Sequence, residues 1–153
     1  MKISTIFVII CLFSTSLVAQ TSGLTYPTIG TSIPIGGTGD WSTPANVIAA
    51  DGLDAVSFPF SFANEFTDRL VARAFGFNIP ATATILGIEV QINRGMTGSD
   101  PSSNIRDNEI ALVKAFVSQP TNKADLSEAW PLGPTAVKIY GGAADLWGTT
   151  WTP

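Results

Sequence analysis

Acidic side chains are the residues of this sequence whose chemistry best suits a metal ion. Asp100, Asp107 and Glu109 lie in or just after the longest polar loop, residues 95–104. Their carboxylate oxygens suit Ca²⁺, which takes about six to eight oxygen ligands in proteins. No Asp-x-Asp-x-Asp-Gly pattern accompanies them, and turn capping through side chain to backbone hydrogen bonds is the favoured alternative. A structural calcium site at Asp100, Asp107 and Glu109 is therefore the second interpretation.

Catalytic chemistry has few candidates in this chain. It contains no histidine and a single cysteine, Cys11, whereas a serine hydrolase needs a histidine base. A pair of carboxylates can hydrolyse a glycosidic bond, and Asp107 and Glu109 share one face if residues 105–117 form a strand. The glycine-rich run 36–39 lacks the lysine of a phosphate-binding loop. We therefore predict no catalytic residues, and a glycoside-active enzyme fragment is the least favoured class.

The four tryptophans are candidates for sugar binding. All of them stand in glycine- or proline-rich segments outside the strongest strand patterns. An exposed indole face can stack on a sugar ring, which makes Trp41, Trp130 and Trp147 the candidate glycan-stacking residues. The favoured alternative is that tryptophans plug the ends of a sandwich, with each indole N–H bonded to a loop carbonyl.

Residues 1–20 predict export. Lys2 gives a positive start, residues 6–13 form an unbroken apolar run, and small and polar residues follow at 14–20. This order is typical of a secretory signal peptide, and the apolar run is much shorter than the ~20 residues that a transmembrane helix needs. Cleavage removes Cys11. The mature chain is predicted to be secreted or held at the cell surface, without a membrane span.

The composition indicates one exported domain. Removal of residues 1–20 from the 153 leaves 133, which suits a single core. The net charge is −4 for the whole chain and −5 without Lys2, which argues against nucleic acid and anionic membrane surfaces as partners. Charged residues make up 13% of the chain, against about 25% in ordinary globular domains, so the surface must consist largely of uncharged polar groups.

The elements that must position these side chains are strands. Residues 21–44 are rich in Gly, Thr, Ser and Pro and read as a leader or linker with one short strand, followed by a domain over 45–153. The clearest strand pattern covers residues 83–94, where apolar residues alternate with polar ones. Residues 67–77 fit either a short helix or a strand, and the strand is favoured because Pro80 follows closely.

Three further strands are predicted: one within residues 46–62, in the alternation at 55–62 that follows a turn signal at 51–52, one over 105–117 and one over 136–140. Strands separated by loops, without a convincing helix, indicate an all-β fold, an antiparallel β-sandwich of jelly-roll type. The predicted core residues share the inward side of the alternating patterns: Leu86, Ile88, Val90, Ile92, Ile110, Leu112 and Phe116.

Several local phrases together resemble a known type of module. They are FGFNIPATATILGIEVQINR at 75–94, DNEIALVK at 107–114, NKA at 122–124, WP at 130–131 and YGGAADLWGTTWTP at 140–153. In this order they resemble a β-sandwich module that recurs in bacterial secreted or surface proteins and in phage structural proteins, generally without an assigned activity. The resemblance spans about residues 41–153 and supplies no catalytic residues. It implies further strands after Pro153, so the sandwich is interpreted as truncated at its C-terminus.

These observations predict a non-catalytic secreted or cell-surface β-sandwich module with a structural or adhesive role. The alternative is a carbohydrate-binding module of a larger extracellular protein. The partners expected are an extracellular glycan or a surface protein, together with further domains of the same polypeptide. No cofactor is expected apart from the calcium ion considered above.

Overall fold

The computed structural model describes residues 21–37, 39–57, 65–97 and 104–153. Its strands pair in antiparallel ribbons, β1 with β4, β2 with β3, β5 with β8 and β6 with β7. The predicted all-β fold is therefore confirmed. The strand bounds are β1 Ile29–Ile33, β2 Trp41–Ser42, β3 Val56–Ser57, β4 Arg69–Arg73, β5 Ile88–Arg94, β6 Val113–Lys114, β7 Val117–Ser118 and β8 Ala136–Gly142.

The four ribbons do not join into larger sheets within the described part of the chain. The sandwich and its jelly-roll order therefore stay predictions. A short 3-10 helix, Pro44–Ile48, follows β2 and packs against β1. No helix among the described residues is long and apolar enough to cross a membrane.

The β5–β8 ribbon confirms the strongest sequence pattern. On β5, Ile88, Val90 and Ile92 are half-buried, whereas the residues between them are exposed. Residues directly opposite each other in an antiparallel pair lie on the same face. Because Val90 is opposite Tyr140 and Ile92 is opposite Lys138, the even-numbered residues of both strands form one face, which we call the inner face. The odd-numbered residues form the outer face.

Two predicted core residues are exposed, which corrects the core prediction. Leu86 is 58% exposed because β5 begins only at Ile88. The alternating pattern of residues 83–94 predicts a strand that starts earlier than the observed one. Phe116 is 88% exposed because it lies in the turn between β6 and β7.

The long strand predicted over residues 105–117 is also wrong. Ala115 and Phe116 have positive φ angles of 49° and 66°, which reverse the chain between two strands of two residues each. Residues 105–112 carry only an isolated bridge, between Arg106 and Ala129. The turn contains no glycine, asparagine or proline, the residues that usually mark a hairpin turn. The alternation of apolar residues therefore predicts one strand where the chain forms two.

The strand prediction for residues 67–77 is confirmed by β4. It pairs with β1 over five residues, from Ile29 opposite Arg73 to Ile33 opposite Arg69. Both β1 and β2 fall within residues 21–44, so the segment interpreted as a leader takes part in strand pairing. Gly30 on β1 leaves no room for a side chain, because a Cβ there would lie 2.0 Å from the Pro44 carbonyl oxygen.

The remaining strand predictions are partly covered by the described residues. The strand at 136–140 is confirmed and extends to Gly142. Of the strand expected at 55–62, Val56–Ser57 is observed, and the remainder from residue 58 lies outside the described residues. The predicted signal peptide and Asp100 lie outside the described residues as well.

The buried side chains of the described residues include three charged groups beside three large apolar ones. The apolar ones are Met96, Tyr140 and Trp147, and the charged ones are Asp68, Arg94 and Asp107. Most of these residues surround the inner face of the β5–β8 ribbon.

Candidate functional site

Asp107 is the centre of a buried cluster on the inner face of the β5–β8 ribbon. β5 ends in Arg94, and β8 supplies Tyr140 and Lys138. Two loops close over these strands. The Trp130 amide donates to the Ile105 carbonyl at 2.8 Å and holds the loop of residues 104–112 against the loop of residues 119–135.

Both carboxylate oxygens of Asp107 are occupied. Oδ1 accepts from the Arg94 Nη1 at 2.7 Å and from the Trp130 Nε1 at 2.8 Å. Oδ2 accepts from the Tyr140 hydroxyl at 2.7 Å and from the Asp125 amide at 3.2 Å. An ionised carboxylate offers about four lone-pair positions. The four donors therefore leave no free acceptor position on Asp107.

The burial of this cluster makes the pairing of charges obligatory. Arg94 and Asp107 are 3% and 4% exposed, and a buried charge without a partner costs several kcal/mol. Burial, with the hydrogen bond to the Asp107 carboxylate as the next cause, raises the pKa of Tyr140 well above its usual range. The Tyr140 hydroxyl therefore stays protonated and donates to Asp107.

A second layer of charges lies between the cluster and solvent. The Arg94 Nη2 is 3.2 Å from the Glu128 Oε1, and Lys138 donates to Glu128 and, at 3.2 Å, to Asp125. The Ser127 hydroxyl, followed by Lys138, holds the pKa of Asp125 well below its usual range. Hydrogen bonds to Glu128 and Asp125 raise the pKa of Lys138. These residues are partly exposed, so water screens their charges.

The two calcium candidates among the described residues, Asp107 and Glu109, have different partners. Asp107 faces Arg94, whereas the Glu109 Oε2 accepts from the Arg69 Nε at 2.8 Å and its Oε1 from the Ser118 hydroxyl at 3.1 Å. A guanidinium beside each carboxylate opposes a bound cation, so this geometry gives the calcium alternative for Asp107 and Glu109 no support. The described residues contain no group of three or more His, Cys, Asp or Glu side chains placed to hold a metal ion.

Trp147 cannot stack on a sugar in this structure, because its side chain has no exposed surface. Its Nε1 donates to the Ile88 carbonyl at 2.9 Å, and Lys123 lies over its ring at 5.3 Å. Gly141, with φ of +76°, allows this packing, because a Cβ there would lie 2.5 Å from the Trp147 Nε1.

The other tryptophans are half-buried, and each donates its indole N–H within the chain. Trp41 donates to the Asp68 carbonyl at 2.8 Å, Trp130 to Asp107, and Trp151 to the Leu146 carbonyl at 2.9 Å. Trp41, Trp147 and Trp151 bind carbonyl oxygens as the plugging interpretation expects, whereas Trp130 binds a carboxylate, and the sandwich that they would plug stays a prediction. Trp41 and Trp130 are half-buried and stay glycan-stacking candidates, with the Arg94 guanidinium 5.8 Å from the Trp130 ring centroid.

No family model, curated protein or solved structure matches this chain. The resemblance to a secreted or phage β-sandwich module therefore stays a prediction.

Sequence reasoning missed Arg94 and Tyr140 as members of the site. One signal could have found Arg94. It continues the inward series of Ile88, Val90 and Ile92 at a spacing of two residues, so its guanidinium points to the same side as three apolar residues. A charged residue in that position needs a buried counter-ion.

Proposed function

We propose that this chain is a non-catalytic, exported β-module with a structural or adhesive role outside the cell. The predicted signal peptide supports export, and the absence of histidine from the sequence supports a role without acid/base catalysis. Its expected partners are an extracellular glycan or a surface protein and further domains of the same polypeptide.

The observation that carries the proposal is the closed hydrogen-bond shell of Asp107. A general acid or base must reach the proton that it transfers. Asp107 faces Arg94, Trp130, Tyr140 and a backbone amide instead, and it is 4% exposed. We therefore assign the strongest carboxylate cluster of the chain to holding loops on the β5–β8 ribbon.

The apolar surface supports a binding role over a catalytic one. Large apolar side chains are exposed in several ribbons, among them Ile33, Val117 and Ile139. Contiguous exposed apolar patches mark interaction surfaces in soluble proteins, whereas single exposed apolar residues are ordinary. Val137 and Ile139 share the outer face of β8 and are both exposed. A chain with few charges and such a surface suits contacts with other macromolecules.

The test for catalysis is turnover of a panel of bacterial and plant polysaccharides by the exported chain and by Asp107→Asn. We expect no turnover by either protein, and Asp107→Asn is expected only to lower the free energy of unfolding. Turnover by the unmodified chain that Asp107→Asn abolishes would overturn the proposal in favour of a glycoside-active enzyme.

A carbohydrate-binding module is the second candidate, because Trp41 and Trp130 keep partly exposed rings. A glycan array probed with the chain, Trp41→Phe and Trp151→Phe separates the two classes. Trp151→Phe is the matched control, because it also loses an indole bond to a carbonyl oxygen but is not a stacking candidate. Binding that Trp41→Phe alone removes would favour the carbohydrate-binding class.

Export is tested with the full chain and with a variant lacking residues 1–20. We expect the full chain in the exported fraction of a bacterial host and the variant in the cytoplasm. Equal retention of both proteins in the cytoplasm would contradict the extracellular location.

A further inference from the structure

The β8 strand has one edge that pairs with β5 and a second edge that no strand pairs with among the described residues. An edge strand presents a row of N–H and C=O groups that can bind another strand. At seven residues, β8 and β5 are the longest strands described. No described strand is longer than β8, so its unpaired edge offers as many backbone groups as any single described strand can.

This edge lacks the usual protection against pairing. Natural edge strands are blocked by proline or by a lysine that stays in solvent. β8 contains no proline, and its one charged residue, Lys138, turns to the inner face, where it binds Asp125 and Glu128. Val137 and Ile139 are 60% and 51% exposed on the outer face.

We infer that β8 pairs with β8 of a second copy of this chain, in antiparallel orientation about a two-fold axis at Ile139. This inference rests on the structural role proposed above and names its contact. Alternate residues direct their backbone groups to the same edge of a strand. A two-fold axis between identical strands must therefore pass through a residue of β8.

Strand length and charge select that residue. An axis at Ile139, the midpoint of Ala136–Gly142, sets all seven residues of β8 opposite residues of the second copy, with the Gly142 carbonyl already accepting from the Asp145 amide at 3.0 Å. It places Lys138 opposite Tyr140 of the second copy. An axis at Lys138 pairs five residues and sets two ammonium groups opposite each other, which is destabilising. An axis at Val137 pairs only three residues of the strand.

The charges also favour β8 over the other long strands as the self-pairing edge. β4 begins and ends in arginine, and β5 carries the exposed Glu89 on its outer face. The single charge of β8 is compensated by Asp125 and Glu128 within its own chain. Two copies of β8 therefore meet without an uncompensated like charge.

The association is expected to be weak. One strand edge is a smaller contact than the ~1,600 Å² of a standard stable interface. The net charge of −5 of the exported chain repels a second copy, so added salt should strengthen the dimer by screening this repulsion.

Disulfide trapping tests the contact and its register. In a C11S background of the full chain, I139C places two thiols at directly opposite positions, with Cα atoms about 4.5–5.5 Å apart, which a disulfide can bridge. V137C is the matched control, because residue 137 faces Gly141 and is four residues, about 13 Å, from its own copy. We expect oxidised dimer from I139C and at least tenfold less from V137C.

Sedimentation of variants without cysteine gives the second measurement. I139K sets two lysines opposite each other and is expected to weaken dimerisation at least tenfold. Q91K is its control, because Gln91 lies opposite Ile139 on β5, away from the open edge. The inference is overturned by equal trapping at 137 and 139, by a chain that stays monomeric at millimolar concentration, or by equal effects of I139K and Q91K. The glycan and polysaccharide assays are read separately, so failure of the proposed function is distinguishable from failure of this contact.

Discussion

Two aspartates are equally buried in this molecule, and their surroundings differ. Asp68, just before β4, and Asp107, below the β5–β8 ribbon, are each 4% exposed. A tryptophan indole binds at each of them, Trp41 at the Asp68 carbonyl and Trp130 at the Asp107 carboxylate. Arg94 pairs with Asp107, whereas the described residues place no lysine or arginine in an ion pair with Asp68.

The difference shows which part of the molecule depends on its charges. The Asp68 carboxylate accepts from one backbone amide, that of Ile35 at 3.1 Å, and fastens a loop that follows β1. The Asp107 carboxylate holds β5, β8 and two loops through four donors. Loss of Asp107 therefore removes contacts between elements, whereas loss of Asp68 removes one contact near a single ribbon.

The largest effect is expected from Asp107→Ala. It leaves the Arg94 guanidinium buried without its main partner, which costs roughly 3–5 kcal/mol of unfolding free energy. Urea denaturation followed by tryptophan fluorescence measures the loss. The paired variant R94M/D107L, which removes both charges, is expected to be more stable than D107L alone. An equal or lower stability of the paired variant would contradict an obligatory ion pair.

Tyr140→Phe is expected to have the next largest effect. It keeps the ring and removes the hydroxyl that donates to Asp107 at 2.7 Å, and a hydrogen bond to a charged group contributes roughly 1.5–3 kcal/mol. Tyr26→Phe is the control, because Tyr26 is exposed. Equal denaturation midpoints for the two variants would show that the Tyr140 hydroxyl does not support the cluster.

Asp68→Asn sharpens the comparison from the other side. The amide keeps an oxygen that can accept from the Ile35 N–H, so we expect a loss of only about 0.5–1 kcal/mol. Asp107→Asn in the same assay should lose more unfolding free energy. All four partners of the Asp107 carboxylate are donors, so the new amide NH2 group must face a donor. A loss at Asp68 as large as that at Asp107 would mean that burial alone, without the guanidinium, sets the cost.

The smallest effect concerns pH and the exposed ion pairs. Hydrogen bonds from Ser127 and Lys138 lower the pKa of Asp125, and Lys123 lowers that of Asp145, from an ordinary value of 3.8. An unfolded chain then binds more protons than the folded one, so this stability is present above about pH 4 and lost as the pH falls further. The denaturation midpoint should stay level from pH 7 to 5 and fall towards pH 3.

The control for the pH prediction is the double variant D125N/D145N. It lacks both perturbed carboxylates, so its midpoint should fall less between pH 5 and pH 3 than that of the unmodified chain. Identical slopes for the two proteins would assign the acid sensitivity to other carboxylates.

The strands that the sequence predicted correctly are those with local patterns. Ile88, Val90 and Ile92 alternate with polar residues, and Arg69–Arg73 is too close to Pro80 for a long helix. Residues 105–117 misled the prediction, because their alternation carries no sign of the turn at Ala115 and Phe116. A turn with positive φ at two residues other than glycine or asparagine is set by its surroundings, which a local pattern does not contain.

The candidate site could be predicted only in part, because its members are brought together by segments that are distant in the sequence. Asp107 and Trp130 were recognised as chemically capable residues, but Asp107 was considered as a turn cap or, with Glu109, as a calcium ligand, and not as the partner of a buried arginine. In the structure the two carboxylates face different arginines, Arg94 from β5 and Arg69 from β4. These partners are 13 and 40 residues away in the chain, so no short motif joins them.

The sequence by itself determined the all-β class, the inward face of β5 and the lack of histidine and of more than one cysteine. These properties depend on residue types and on spacing over a few residues, which the printed chain contains in full. Only the tertiary structure decided that Asp107 is enclosed, that Trp147 is buried and that one edge of β8 is unpaired among the described residues. Each of these depends on which distant segments pack together, because burial and hydrogen bonding are properties of neighbours in space.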